Sequence, residues 1–145
     1  TGKELATDPR TMPEADAEAS SSQTDEILLI SWRDDVLSRT WEALEKNALS
    51  SGTDYYVALR MRVEHPSWSV AELALHLSDH LGKSVSPGAA RVLVHRARAK
   101  FANLLIKLVT ESLDEPSFDN VEAELIDLRL IEYCREFLRE RQKLD

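Results

Sequence analysis

SVAELALHLSDHLGKSVSPGAARVLVHRARAKFANLLIKL, residues 69–108, is the stretch whose reading decides the fold. It opens on a capping box, Ser69-Val70-Ala71-Glu72. There a serine hydroxyl and a glutamate three residues on can satisfy backbone N–H groups that lack an intrahelical partner. Val70, Leu73, Ala74, Leu77 and Leu81 then recur at the spacing of one helix face. Gly82 suits the left-handed residue that ends such a helix. Ser86-Pro87 is a second start signal, because proline at the first helical position lacks only an N–H that had no partner there. At about 100° per residue from Ala90, Val94, Ala97, Phe101, Leu104, Leu105 and Leu108 fall on one side, with Arg91, His95 and Arg96 away from it. Two helices, the second basic on its outer face, predict a helix-turn-helix, which lays the N-terminal part of its second helix in the DNA major groove. An ordinary helical hairpin with a solvated basic face fits the same pattern.

Upstream, Trp32, Val36, Leu37, Leu44 and Ala48 predict a helix over 31–49, ended by Ser50-Ser51-Gly52. Tyr55, Tyr56, Leu59 and Val63 predict another over 53–63, capped by Gly52 or Thr53 and stopped by His65-Pro66. The tryptophans are expected to pack the three N-terminal helices, these two and the one from Ser69, together. Residues 1–25 show no sustained periodicity and read as a flexible acidic linker. The chain opens on Thr1 and not on a methionine, so the linker is expected to join a further part upstream.

Downstream, the basic helix is expected to reach as far as Leu113, where Asp114-Glu115-Pro116 breaks it. Ser117 then caps a helix carrying Val121, Leu125 and Leu128, and a last helix from Leu130 carries Tyr133, Cys134, Phe137 and Leu138. No strand-like alternation and no internal repeat interrupts this pattern. The expected class is all-α: a helical bundle containing a helix-turn-helix over 26–113, with a C-terminal helical extension over 114–145.

Hydrophobic content of 43% in 145 residues is that of one globular domain with its own core. No apolar run approaches a bilayer span and no secretion signal opens the chain, so it is expected to stay in the cytoplasm. A single cysteine, Cys134, leaves no internal disulfide, and its apolar neighbours fit a buried core thiol. The net charge of −8 is unevenly spread. Residues 1–35 carry three basic and nine acidic side chains, and residues 111–145 carry five and eleven. Residues 69–110 carry six basic (Lys83, Arg91, Arg96, Arg98, Lys100, Lys107) against two acidic. Net positive charge concentrated in the candidate helix-turn-helix is the pattern of a nucleic-acid footprint. The acidic ends are expected to oppose non-specific binding where they lie near it.

At Glu72-Leu73-Ala74, Gly88-Ala89-Ala90-Arg91 and His95-Arg96-Ala97-Arg98 the chain resembles the promoter-reading C-terminal domain, region 4, of bacterial RNA polymerase sigma factors. Within that family it is most similar to the extracytoplasmic-function class, in the longer variant of planctomycete-type proteins. Trp41-Glu42-Ala43-Leu44, Tyr55-Tyr56-Val57-Ala58-Leu59-Arg60 and the stretch from Glu124-Leu125 to Tyr133-Cys134-Arg135 add to the resemblance. It implies contact with the minus-thirty-five promoter element through the second helix, and packing on the flap of the polymerase β subunit. An anti-sigma factor is a further partner it implies. The resemblance implies that Arg91 and Val92 approach base edges, arginine pairing with guanine and valine touching a thymine methyl, with Ala89 beside them at the DNA-binding start of the helix. His95, Arg96, Arg98 and Lys100 are placed for phosphate contacts. Ala89, Ala90 and Leu93 stand where many relatives carry threonine, valine and arginine, which leaves polar base-reading capacity thin.

Two other readings share these residues. A sigma-like protein-interaction domain could use the helices over 121–138 to hold an anti-sigma protein, the polymerase or a second copy, without reading a promoter. A generic helix-turn-helix regulator would dimerise on palindromic sites. Enzyme chemistry finds little footing: the chain has four glycines and no phosphate-cradling loop, and no nucleophile is paired with a base. No cofactor is expected. Glu72, His76 and His80 share a helix face at i, i+4 and i+8, a spacing that could hold zinc, but a solvated face supplies the same residues. His65 is expected to cap helix carbonyls. Glu122, Glu124, Asp127 and Glu132 read as a solvated face.

Overall fold

The structure is a computed structural model that describes residues 14–144, with side-chain surroundings for 23–141. Six helices follow one another: α1 (Glu14–Ser51), α2 (Tyr55–Glu64), α3 (Val70–Leu81), α4 (Pro87–Ser112), α5 (Phe118–Asp127) and α6 (Ile131–Leu144). The class is all-α, and no strand occurs among the described residues. None of these helices is long and apolar enough to cross a membrane.

The start and stop signals around α3 and α4 form where the sequence puts them. Ser69 Oγ accepts from the Glu72 N–H at 3.1 Å. The other half of the expected box differs, since the Glu72 carboxylate takes a 3.3 Å hydrogen bond from the serine hydroxyl and none from its backbone. Gly82 ends α3 at φ 66°, a conformation that glycine adopts without a Cβ penalty. Ser86 Oγ accepts from the Ala89 N–H at 3.1 Å, with Pro87 at the head of α4. Ser117 caps α5 in the same way.

Helix α1 departs most from expectation. It has 38 residues, about 57 Å of helix, and begins at Glu14, so residues 14–25 are helical and do not form the flexible linker anticipated over 1–25. Residues 1–13 of that anticipated linker lie outside the described residues. The segment over 14–25 is rich in alanine, glutamate and serine. Once the core-contacting part of α1 has nucleated, extending it needs only per-residue propagation, for which alanine and glutamate are good residues.

Helix α4 touches all five others and is the spine of the fold. Its first half shares a small cluster with α2 and α3: Ala58, Leu73, Ala74, Leu77, Ala90 and Val94. Its second half enters the main core, where Phe101, Leu105, Ile106 and Val109 meet Val36 and Leu44 of α1 and Val121, Leu125, Cys134 and Leu138 of α5 and α6. The boundary drawn at 113/114 therefore does not interrupt the core. Burying each large aliphatic side chain of this set is worth about 1.5–3 kcal/mol. Burial also pushes the Cys134 thiol up to about 12, in keeping with a core cysteine.

Two of the three tryptophans pack the N-terminal helices together as expected, Trp41 between α1 and α2 and Trp68 between the end of α2 and α3, and Trp32 does not. Trp41 packs on Tyr56 and Phe101, joining α1 to α2 and α4. Trp32 reaches the other way, its indole N–H donating to Glu124 of α5 at 3.2 Å, so Glu124 is not part of a merely solvated face. Trp68 lies between two imidazoles, His65 at 3.8 Å and His76 at 4.0 Å, both rings within 6° of parallel to it.

Candidate nucleic-acid interface

The turn that aims α4 is held by polar ties. The Ser78 hydroxyl donates to the Ala74 carbonyl at 2.7 Å and accepts from the Val85 N–H at 2.9 Å, closing the connector onto the end of α3. Lys83, in the same connector, pairs with Asp54 at the head of α2 at 2.9 Å. Asp54 is the residue before α2, in place of the expected Gly52 or Thr53 cap, and its side chain serves this ion pair and not a cap. At the other end of α2, Arg62 donates to the carbonyls of His65 and Trp68, both at 2.7 Å. The His65 backbone N–H caps the Met61 carbonyl at 3.1 Å, while its ring, expected to cap carbonyls, stacks on Trp68.

On α4 itself Ala89, Arg91, Val92, His95, Arg96 and Arg98 are exposed and Lys100 is half-buried, all on the side opposite or flanking Ala90, Val94, Ala97 and Phe101. Helical geometry sorts them into two stripes. Ala89, Val92, Arg96 and Lys100 run along one flank. Arg91, His95 and Arg98 run along the other, and the last two line a cleft of about 650 Å³ with Arg62 of α2, Trp41 of α1, and Glu132, Tyr133 and Glu136 of α6. The seven side chains therefore divide between two flanks, which meet along Arg91, Val92, His95 and Arg96.

The cations of this surface are uncommitted. Elsewhere Arg33 donates to the Leu128 carbonyl, and Arg39, Arg60, Lys83, Arg129 and Arg135 each pair with a carboxylate. Among the described residues no ion pair or hydrogen bond engages the side chains of Arg91, Arg96, Arg98 or Lys100. Solvated guanidinium groups on a rigid helix, with no carboxylate to release first, can take phosphate or base edges at little reorganisation cost.

The Glu72, His76 and His80 set does not converge: His76 is stacked on Trp68, and among the described residues no three His, Cys, Asp or Glu side chains are grouped to hold a metal ion. The roles of Ser78, Arg62 and Lys83 leave no mark in hydrophobic periodicity. For Ser78 the available signal was a serine one turn before a glycine stop, a position where its hydroxyl can reach across the turn. No family model matches the chain, and neither the curated proteins nor the solved structures contain a significant match to it.

Proposed function

We propose that this chain binds duplex DNA through the N-terminal half of α4, as a sigma-like promoter-recognition domain that contacts the minus-thirty-five element and the RNA polymerase β flap in transcription initiation. The observation that carries the reading is the set of uncommitted cations on α4 in a chain where six of the eight other described arginines bond a carboxylate or a backbone carbonyl. The sigma assignment rests on the sequence resemblance at 72–74, 88–91 and 95–98. In this reading Arg91 and Val92 approach base edges, and Arg96 and Lys100 hold phosphates.

Fluorescence anisotropy against a pool of random duplexes, at about 50 mM and about 200 mM salt, tests it. Binding that weakens with salt, weakens uniformly across sequences with Arg96→Ala, and loses base preference with Arg91→Ala supports the reading. Loss of one bidentate guanine contact corresponds to about 1–3 kcal/mol of discrimination. Binding indifferent to both substitutions refutes it.

One observation favours a protein contact as well. Ile27, Leu28, Leu29 and Ile30 are 65, 63, 39 and 51% exposed on α1, an apolar band available to the polymerase flap or an anti-sigma factor. The C-terminal helices offer less than the sequence suggested, because Val121, Leu125, Leu128, Cys134 and Leu138 are buried within the chain.

A further inference from the structure

The cleft beside α4 carries charge on two walls. Arg62, His95 and Arg98 stand on one side and Glu132 and Glu136 on the other, while α1 contributes only Leu37 and Trp41. No ion pair or hydrogen bond crosses it among the described residues. Glu132 is held by Arg135 on its own helix at 2.8 Å, and no ion pair engages Glu136. From the reading that α4 binds DNA, we infer that Glu132 and Glu136 are specificity-determining residues: they repel phosphate from the His95–Arg98 stripe and confine the duplex to the first turns of α4.

Both sets of side chains line this one cleft, and its aromatic walls, Trp41, Phe101 and Phe137, concentrate their field. A phosphate arriving at Arg98 meets a guanidinium that shares its cleft with Glu136, which no ion pair engages, and with Glu132, whose charge Arg135 partly offsets. Arg96, on the opposite flank, does not line this cleft. Sequence-independent affinity is therefore held down where α4 would otherwise add backbone contacts, and the contacts left are those nearest the base edges. The diffuse effect anticipated for the acidic ends is thereby assigned to two residues of α6.

The test is a cycle on the full chain, read by anisotropy with a random-sequence duplex at about 50 mM salt. Glu132→Gln with Glu136→Gln is expected to tighten binding roughly three- to tenfold and to steepen the dependence of log K on log salt by about one phosphate contact. Glu42→Gln with Glu45→Gln makes the same change in net charge on the exposed outer side of α1, and is expected to alter binding less than twofold. Arg98→Ala is expected to weaken binding at least threefold more in the Glu132/Glu136 variant than in the unaltered chain. Equal tightening by the two glutamine pairs, or an Arg98→Ala effect identical in both backgrounds, overturns the inference while leaving the DNA reading in place. Binding that Arg96→Ala does not weaken overturns the DNA reading itself, and absence of binding by every protein overturns both.

Discussion

Replacing Ser78 by alanine isolates the device that sets α4 against α3. In the native turn the hydroxyl accepts from the Val85 N–H at 2.9 Å and donates to Ala74 at 2.7 Å, both in a half-buried setting. Alanine removes the hydroxyl entirely, so the stranded group is the Val85 N–H, whose partnerless burial costs about 1–3 kcal/mol. Against this, alanine gains roughly 0.5 kcal/mol over serine in helix propensity near the end of α3. The net expectation is a loss of about 0.5–2.5 kcal/mol, seen in urea unfolding as a lower midpoint at unchanged slope. Amide exchange localises it: protection at Val85 should fall well beyond what the global loss explains. A variant as stable as the parent, or with Val85 as protected as before, would refute the claim that this hydroxyl holds the connector.

Three further outcomes follow from particular residues. Arg129 holds φ 59° between α5 and α6, a left-handed conformation costing an L-residue about 1–2 kcal/mol. Its pair with Glu26 is exposed and worth about 0–1 kcal/mol, so Arg129→Gly should raise stability by roughly 0.5–1 kcal/mol in urea titration. The Cys134 thiol, raised from 9.0 to about 12 by burial, stays protonated in the folded chain while the unfolded chain ionises. Its contribution is complete below pH 9 and is lost as pH climbs toward 12, at up to about 1.4 kcal/mol per pH unit. The fall in urea stability between about pH 8 and about pH 10 should accordingly be shallower in Cys134→Ala. Removing residues 114–145 takes away six buried side chains, Val121, Leu125, Leu128, Leu130, Cys134 and Leu138. At about 1.5–3 kcal/mol each this rivals the whole stability of a domain, so the shortened chain should show no cooperative unfolding transition.

What sequence could show here was local. The serine caps at Ser69, Ser86 and Ser117 and the stop at Gly82 are hydrogen bonds or dihedrals spanning about three residues, and each is present, with only the Glu72 half of the Ser69 box formed otherwise. The start of α1 was not legible because its first turns lack an apolar stripe; they extend a helix nucleated further along, and periodicity is silent about propagation. Trp32 meeting Glu124, and Glu136 facing the side of α4 that carries His95 and Arg98, depend on how helices distant in sequence pack. Angular position along α4 gave the exposed side correctly but could not reveal that α6 stands beside half of it.

The polar ties around the connector have a physical reason in the uneven core. Three of the six buried side chains that hold the first half of α4 are alanines, Ala58, Ala74 and Ala90, which permit close helix approach but remove little apolar area from water. The second half is gripped by Phe101, Leu105, Ile106 and Val109. Apolar burial alone would therefore fix the far end of α4 firmly and its exposed, cationic end loosely. Ser78, the Lys83–Asp54 pair and the Arg62 contacts all lie at the loosely held end, where directional bonds supply the orientation that small side chains cannot. Substitutions in the large cluster should then change stability with little effect on how the first turns of α4 meet a ligand. Substitutions among these ties should change that meeting out of proportion to their modest cost in stability.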